Sequence, residues 1–160
     1  MRKKLKSILG MTFIELMTTI VIIGITATLA EPSFNRAIDR IKFKNINKDV
    51  ISALRLARSA AIAEKVSHGI YFNSSGYTVL QFRDINDNLA YDEGVDPLTR
   101  IDTLPSGMTS LSTDFVGGDV IVFLSNGTAS GTGNIYLTSE TESGHVNSSQ
   151  LSVLAATGRA

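Results

Sequence analysis

Three spacings of apolar residues follow one another along this chain. From Met11 to Ala30 apolar and small residues run almost without a break, and a single carboxylate, Glu15, lies inside the run. Coiled as a helix at about 1.5 Å per residue, the stretch is roughly 30 Å long, the thickness of a bilayer's hydrocarbon core. Beyond Glu31-Pro32 the pattern becomes Phe34, Ile38, Ile41, Ile46, Val50, Leu54, Ala57 and Ala61, mostly three or four apart with Lys and Arg between them. That is an amphipathic helix. Pro32 is expected to kink the helix without ending it. The pattern predicts one long helix from about Thr12 to Lys65, with residues 11–31 in lipid and 32–66 laying one stripe on a soluble domain.

From Gly69 the period falls toward two. "GIYFNSSGYTVLQFRD" reads as two strands around the turn Asn73-Ser74-Ser75-Gly76. "DVIVFLSNGTA" puts a strand before Asn126-Gly127, "NIYLTSE" is another, and "SQLSVLAATGR" a last one. Weaker extended segments lie at 98–104 and 108–111, while the Gly, Ser and Thr of 125–134 and 139–149 read as loops. A helix followed by antiparallel strands is an α+β architecture, here with the amphipathic half of the helix covering the apolar face of a sheet formed within residues 67–160.

Composition sharpens this picture in two places. With 160 residues, 43% hydrophobic and 19% charged, the chain suits one domain plus an anchor. The absence of cysteine excludes a disulfide framework and any thiolate metal site. The formal charge of zero conceals a strong asymmetry. Arg2, Lys3, Lys4 and Lys6 precede the apolar run with no acid among residues 1–10; residues 32–66 carry eight Lys/Arg against three acids; residues 67–160 carry only Arg83, Arg100 and Arg159 against ten acids. Cations before the run orient it with its N-terminus in the cytoplasm and the remainder exported, so the β-rich part is expected in the periplasm. An acidic exported surface offers little general attraction to nucleic acid.

The residues around the start of the run carry a resemblance. A short basic leader ending in Gly10, then Met11-Thr-Phe-Ile-Glu15 opening the apolar stretch, then Pro32 at the membrane exit, resemble the class III signal of type IV pilins and type II secretion pseudopilins. Family members commonly have Phe at the first mature position, where this chain has Met11. Beyond the leader, "ALRLARSAAIAEK", the hairpin after it, "FRDINDNLAYDEGVDP", "VIVFLSNGTAS" and "SVLAATGRA" in that order resemble the FimT/GspH family of minor pilins and pseudopilins. The resemblance implies a pilin-like fold and no enzymatic activity. It further implies cleavage between Gly10 and Met11 by a prepilin peptidase, N-methylation of Met11, and assembly with other pilins or pseudopilins on an inner-membrane platform. Removing residues 1–10 leaves 11 Lys/Arg against 15 acids, a formal charge of minus four.

Glu15 is then a candidate assembly residue. A carboxylate buried among apolar helices is costly unless paired, and the α-amine of a neighbouring subunit is a suitable partner that would also penalise wrong axial registers. The plain alternatives are a carboxylate that snorkels to the interface and a signal anchor that never polymerises. Gly24 and the threonines 18, 19, 26 and 28 keep parts of the helix narrow, which suits close helix contact but is also ordinary membrane-helix composition.

Some FimT proteins bind DNA through a Gly-Arg-x-Arg motif near the C-terminus; here Gly158-Arg159-Ala160 offers one arginine, so a pilus-tip DNA-binding role is the alternative function and Arg159 its candidate contact. Asp84, Asn86, Asn88 and Asp92, followed by Glu93 and Asp96, alternate oxygen donors like a calcium loop. Leu89 stands where the turn glycine belongs and Val95 where the bidentate Glu belongs, and a polar hairpin loop with Asx turns explains the same residues, so no cofactor is expected beyond that candidate calcium. His68 and His145 read as solvated loop or strand-end residues, and Arg83–Asp84 and Arg100–Asp102 as surface charge. No HExxH, Gly-x-Ser-x-Gly or phosphate-loop pattern is present.

Overall fold

The computed structural model describes residues 11–105, 107–141 and 144–156. One helix, α1, runs unbroken from Phe13 to Glu64, 52 residues. Seven strands follow: β1 (His68–Asn73), β2 (Thr78–Arg83), β3 (Leu98–Thr103), β4 (Met108–Thr113), β5 (Val120–Phe123), β6 (Gly133–Glu140) and β7 (Val146–Val153). The fold is α+β, and every strand pairing is antiparallel.

The strands form two sheets rather than the single one the sequence pattern predicts, in the orders β3-β2-β1-β5 and β4-β6-β7. The chain divides into two compact units, Met1–Ile38 and Asp39–Ala160, with the boundary inside α1. In the second unit the helix contributes Phe43, Ile46, Val50, Ala53, Leu54, Ala57 and Ala61 to one core. Ile70, Phe72, Val79, Ile121 and Phe123 enter that core from the first sheet, and Met108, Leu111, Ile135, Leu137 and Val153 from the second. Burying side chains of this size is worth about 1.5–3 kcal/mol each, which is why the helix holds to the sheets along this stripe.

The helix stripe differs from the sequence expectation at its start. Phe43 is buried at 8% exposure, whereas Ile41 and Phe34 are exposed at 60% and 68%. The reason is angular: at 100° per residue, Phe43 falls in line with Ile46 and Val50, while Ile41, two residues earlier, points about 200° away.

The loop expectations at 125–134 and 139–149 also need correction. β6 begins at Gly133 and runs to Glu140, and β7 begins at Val146, so the connection between them is short. β7 reads as polar because it pairs with β6 at every position from Gly133↔Val153 to Glu140↔Val146 while its side chains alternate between exposed and half-buried. Backbone pairing does not need apolar side chains when one face meets water.

Candidate functional site

The membrane-like half of α1 starts with a cap. Thr12 sits just before the helix; its hydroxyl accepts a hydrogen bond from the Glu15 amide at 3.3 Å and its carbonyl accepts one from Leu16 at 3.1 Å. Thr-x-x-Glu is a capping-box sequence, a signal present in the chain that the sequence reading missed. It places Glu15 in the first helical turn, where the helix dipole favours a negative charge. Among the described residues no group pairs with the Glu15 carboxylate, and Phe13, Ile14, Leu16, Met17, Ile20, Val21, Ile22, Ile23, Ile25 and Leu29 are all exposed.

The threonines of this segment are self-sufficient. Thr18 donates to the Ile14 and Glu15 carbonyls, Thr19 to Glu15 and Leu16, Thr26 to Ile22 and Ile23, and Thr28 to Ile25, all at 2.8–3.0 Å. Their hydroxyls therefore need no water, so an apolar environment is tolerated all round this helix. α1 is long and apolar enough to cross a membrane. Met11 is exposed at the head of the helix, whereas Gly10 lies outside the described residues, as does Arg159.

The 84–97 segment is a closed loop held by three aspartates. Asp84, 1% exposed, accepts the amides of Asn88 (3.3 Å) and Leu89 (3.0 Å). Asp96 accepts those of Ile85 (3.2 Å) and Asp92 (2.9 Å), and Asp92 accepts the side-chain amides of Asn86 (2.8 Å) and Asn88 (2.6 Å). Leu89 takes the left-handed conformation at φ 62°, as a turn glycine would, so its identity does not prevent that turn. The candidate calcium donors are thus brought together, with their oxygens turned to amides of the loop itself. Among the described residues no three His, Cys, Asp or Glu side chains are grouped for a metal.

Tyr91 anchors this loop to the first sheet, against Phe82 (ring centroids 5.1 Å apart) and stacked on Tyr71 (5.3 Å). Burial first, then the charges of Glu93 and Asp96, push its phenol above the ordinary tyrosine value.

Two other polar clusters depart from the sequence reading. His68 is a strand-end residue but is 1% exposed rather than solvated, because the last turn of α1 lies beside it; its Nε2 is 3.1 Å from Glu64 Oε2. Arg83 lies 3.7 Å from that same Glu64 oxygen, an ion pair too long for a hydrogen bond, so its charge partner is Glu64 and Asp84 is a buried loop staple. Arg100 and Asp102 do form an exposed pair at 2.7 Å, and His145 is exposed.

At the start of β6, Asp114 takes the Asn134 backbone amide, the Asn134 side-chain amide (2.9 Å) and the Tyr136 hydroxyl (3.0 Å). The Asn134 hydrogen bonds, with a smaller part from Tyr136, hold its carboxyl below the usual carboxylate range, and the same contact raises the Tyr136 phenol.

The family model described as type II transport protein GspH matches residues 48–157. Among solved structures, one of the minor pseudopilin EpsH from the type 2 secretion system of Vibrio cholerae is 12% identical, covering 67% of this chain and 94% of that chain with a TM-score of 0.46. A second structure of EpsH from the same organism is 13% identical, covering 64% and 91% with a TM-score of 0.42. No curated protein sequence matches.

Proposed function

The chain belongs to the type II transport protein GspH family, and from that membership we propose that it is a minor pseudopilin, a structural subunit built into a filament through its N-terminal helix. A prepilin peptidase removes residues 1–10 after Gly10, Met11 becomes the methylated N-terminus, and the inner-membrane assembly platform adds the subunit to its neighbours. Before assembly the chain spans the inner membrane once, N-terminus inside, with the β-rich part in the periplasm.

The observation that carries this reading is the first half of α1: a helix apolar on every side, its hydroxyls satisfied internally, its faces uncovered, and one unpaired carboxylate in its capped first turn. A helix hydrophobic all round is stable only when lipid or other helices cover it. A lone acid in that setting calls for a cationic partner, and the amine created at Met11 by cleavage is the cation nearest in kind and place. Glu15 then acts as a register pin, because an ion pair in low dielectric loses most of its attraction when the two helices slip by a turn.

Glu15→Leu tests the proposal. Cleavage after Gly10, read by mass spectrometry, should persist, while the share of the protein recovered in sheared filaments falls by about tenfold or more, the factor set by losing about 1.4 kcal/mol or more of pairing. Unchanged recovery would remove Glu15 from assembly.

A further inference from the structure

We propose that Arg36 and Arg40, just beyond the apolar run of α1, form a clamp for the phosphate of an anionic phospholipid in the leaflet the helix leaves, a site that rests on the membrane-crossing reading above. Both are exposed and stand four apart in one helix, so their side chains share a face. A like-charge pair at that spacing repels in the isolated chain.

No carboxylate compensates them. Among the described residues neither arginine forms an ion pair. Asp39, half-buried, is 3.6 Å from Lys42 Nζ, and Glu31 is five positions before Arg36, about 140° round the helix. Two exposed guanidiniums without an acid call for an outside anion, and their height along the helix says which.

Ala30 ends the apolar run, and at about 1.5 Å per residue Arg36 lies roughly 9 Å farther along, with Arg40 one turn beyond it. α1 leaves the bilayer by its C-terminal end, and helical side chains lean toward the N-terminus, so both guanidiniums reach back toward lipid by about 5 Å. The headgroup layer is roughly 5–8 Å thick on each side of the hydrocarbon. Arg36 therefore falls inside it, and Arg40 lies just outside it, within about one Debye length.

Residue type follows the same boundary. The two cations nearest the lipid are arginines, whereas the next three, Lys42, Lys44 and Lys48, are lysines. A guanidinium holds a phosphate with two parallel hydrogen bonds, which an ammonium cannot do. The clamp sets how far α1 sinks into the bilayer. It must open when the subunit leaves lipid for the filament, so anionic lipid retains the unassembled chain.

The absence of cysteine allows a single label. The full-length chain carrying Asn35→Cys, an exposed position next to Arg36, is labelled with a fluorophore and reconstituted into phosphatidylcholine vesicles. The vesicles hold nitroxide-labelled phosphatidylglycerol or nitroxide-labelled phosphatidylcholine at equal mole fraction. The cations of residues 1–10 precede the apolar run, so lipid they attract gathers at the opposite membrane surface, beyond the label. Each cation near an anionic surface contributes about fivefold, so quenching should show phosphatidylglycerol associating about twentyfold more strongly than phosphatidylcholine. Arg36→Gln or Arg40→Gln alone should lower that ratio about fivefold, and the double variant should bring it to about one. Lys44→Gln with Lys48→Gln, farther along the helix, should leave it within about twofold.

A ratio near one with both lipids still quenching would overturn the clamp, leave an acidic protein surface as the partner of the arginines, and keep the membrane-crossing reading. An equal loss with Lys44→Gln and Lys48→Gln would overturn it in favour of diffuse attraction along the whole basic helix. Loss of the ratio in millimolar inorganic phosphate at constant ionic strength would overturn it in favour of a free-phosphate site. No quenching by either lipid would put residue 35 away from the bilayer and overturn both readings.

Discussion

Gly69→Ala should destabilise the β-rich unit by about 2 kcal/mol. Gly69 pairs with Phe82 of β2 and Val122 of β5, and the Phe82 ring lies across it. A β-carbon at Gly69 would stand 2.2 Å from Phe82 Cζ, 2.5 Å from Cε1 and 2.9 Å from Cε2. Carbon atoms in contact need roughly 3.5 Å, so the ring must retreat by about 1.3 Å. Phe82 is fully buried and its ring meets Tyr91, which in turn stacks on Tyr71, so retreat displaces the 84–97 loop. Overpacking of this kind costs about 1–3 kcal/mol, and the upper end applies because the blocking atoms belong to a confined ring. Alanine regains about 0.5–1 kcal/mol of the backbone entropy that glycine forfeits in a strand. The net loss corresponds to roughly 6 °C in Tm for a chain of this size.

Thermal and urea melts of the full chain in detergent, followed by circular dichroism and tyrosine fluorescence, measure the loss; the chain has four Tyr and no Trp. Phe82→Leu makes room for the new methyl, so the double variant should be more stable than the sum of the singles by about 1 kcal/mol. A shift of under about 1 °C for Gly69→Ala, or strict additivity in the double variant, refutes the packing argument.

Asp84→Ala removes the acceptor for two loop amides, each worth about 1–3 kcal/mol when left unsatisfied, and should cost about 2–4 kcal/mol while making bonds within 85–95 accessible to limited proteolysis. Because the oxygens of Asp84, Asp92 and Asp96 already face amides of the loop, about 10 mM calcium, above the dissociation constants of about 0.1–1 mM of extracellular calcium modules, should move Tm by under about 1 °C; a shift of several degrees would show that the loop reopens to take the ion. Asp114 titrates below its ordinary value, so the stability it contributes is fully present above the unfolded pKa near about 3.9 and is lost as pH falls through the lower native value. Asp114→Asn should therefore flatten the melting curve's pH dependence below about pH 4 and leave it unaltered near neutrality, and a carboxyl titration by NMR that finds Asp114 at or above the ordinary value would contradict the network.

Much of this protein was legible in local pattern. The unbroken apolar run, the three-and-four spacing after Pro32 and the alternation after Gly69 each depend on neighbours a few residues apart, and they located α1, the β1–β2 hairpin and the strand before Asn126-Gly127 within a residue or two. The Thr12-x-x-Glu15 cap belonged to the same class of local signal and could have been read.

What the tertiary structure decided was every question of which distant partner a residue meets. The division into two sheets, the choice of Phe43 over Ile41 for the core and the pairing of Arg83 with Glu64 all rest on contacts across long chain separations, and the burial of His68 combines the adjoining last turn of α1 with its pairing to β2 and β5. Polarity misled at 146–148 because an edge strand can be held by backbone hydrogen bonds that carry no side-chain signature. In the same way the carboxylates of the 84–97 loop advertised a charge, and only the folded chain showed that Asp84 and Asp96 face inward onto amides, that Asp87 accepts the Ser67 hydroxyl, and that Glu93 is exposed. Periodicity says which residues share a face; the direction that face turns is settled by what packs against it.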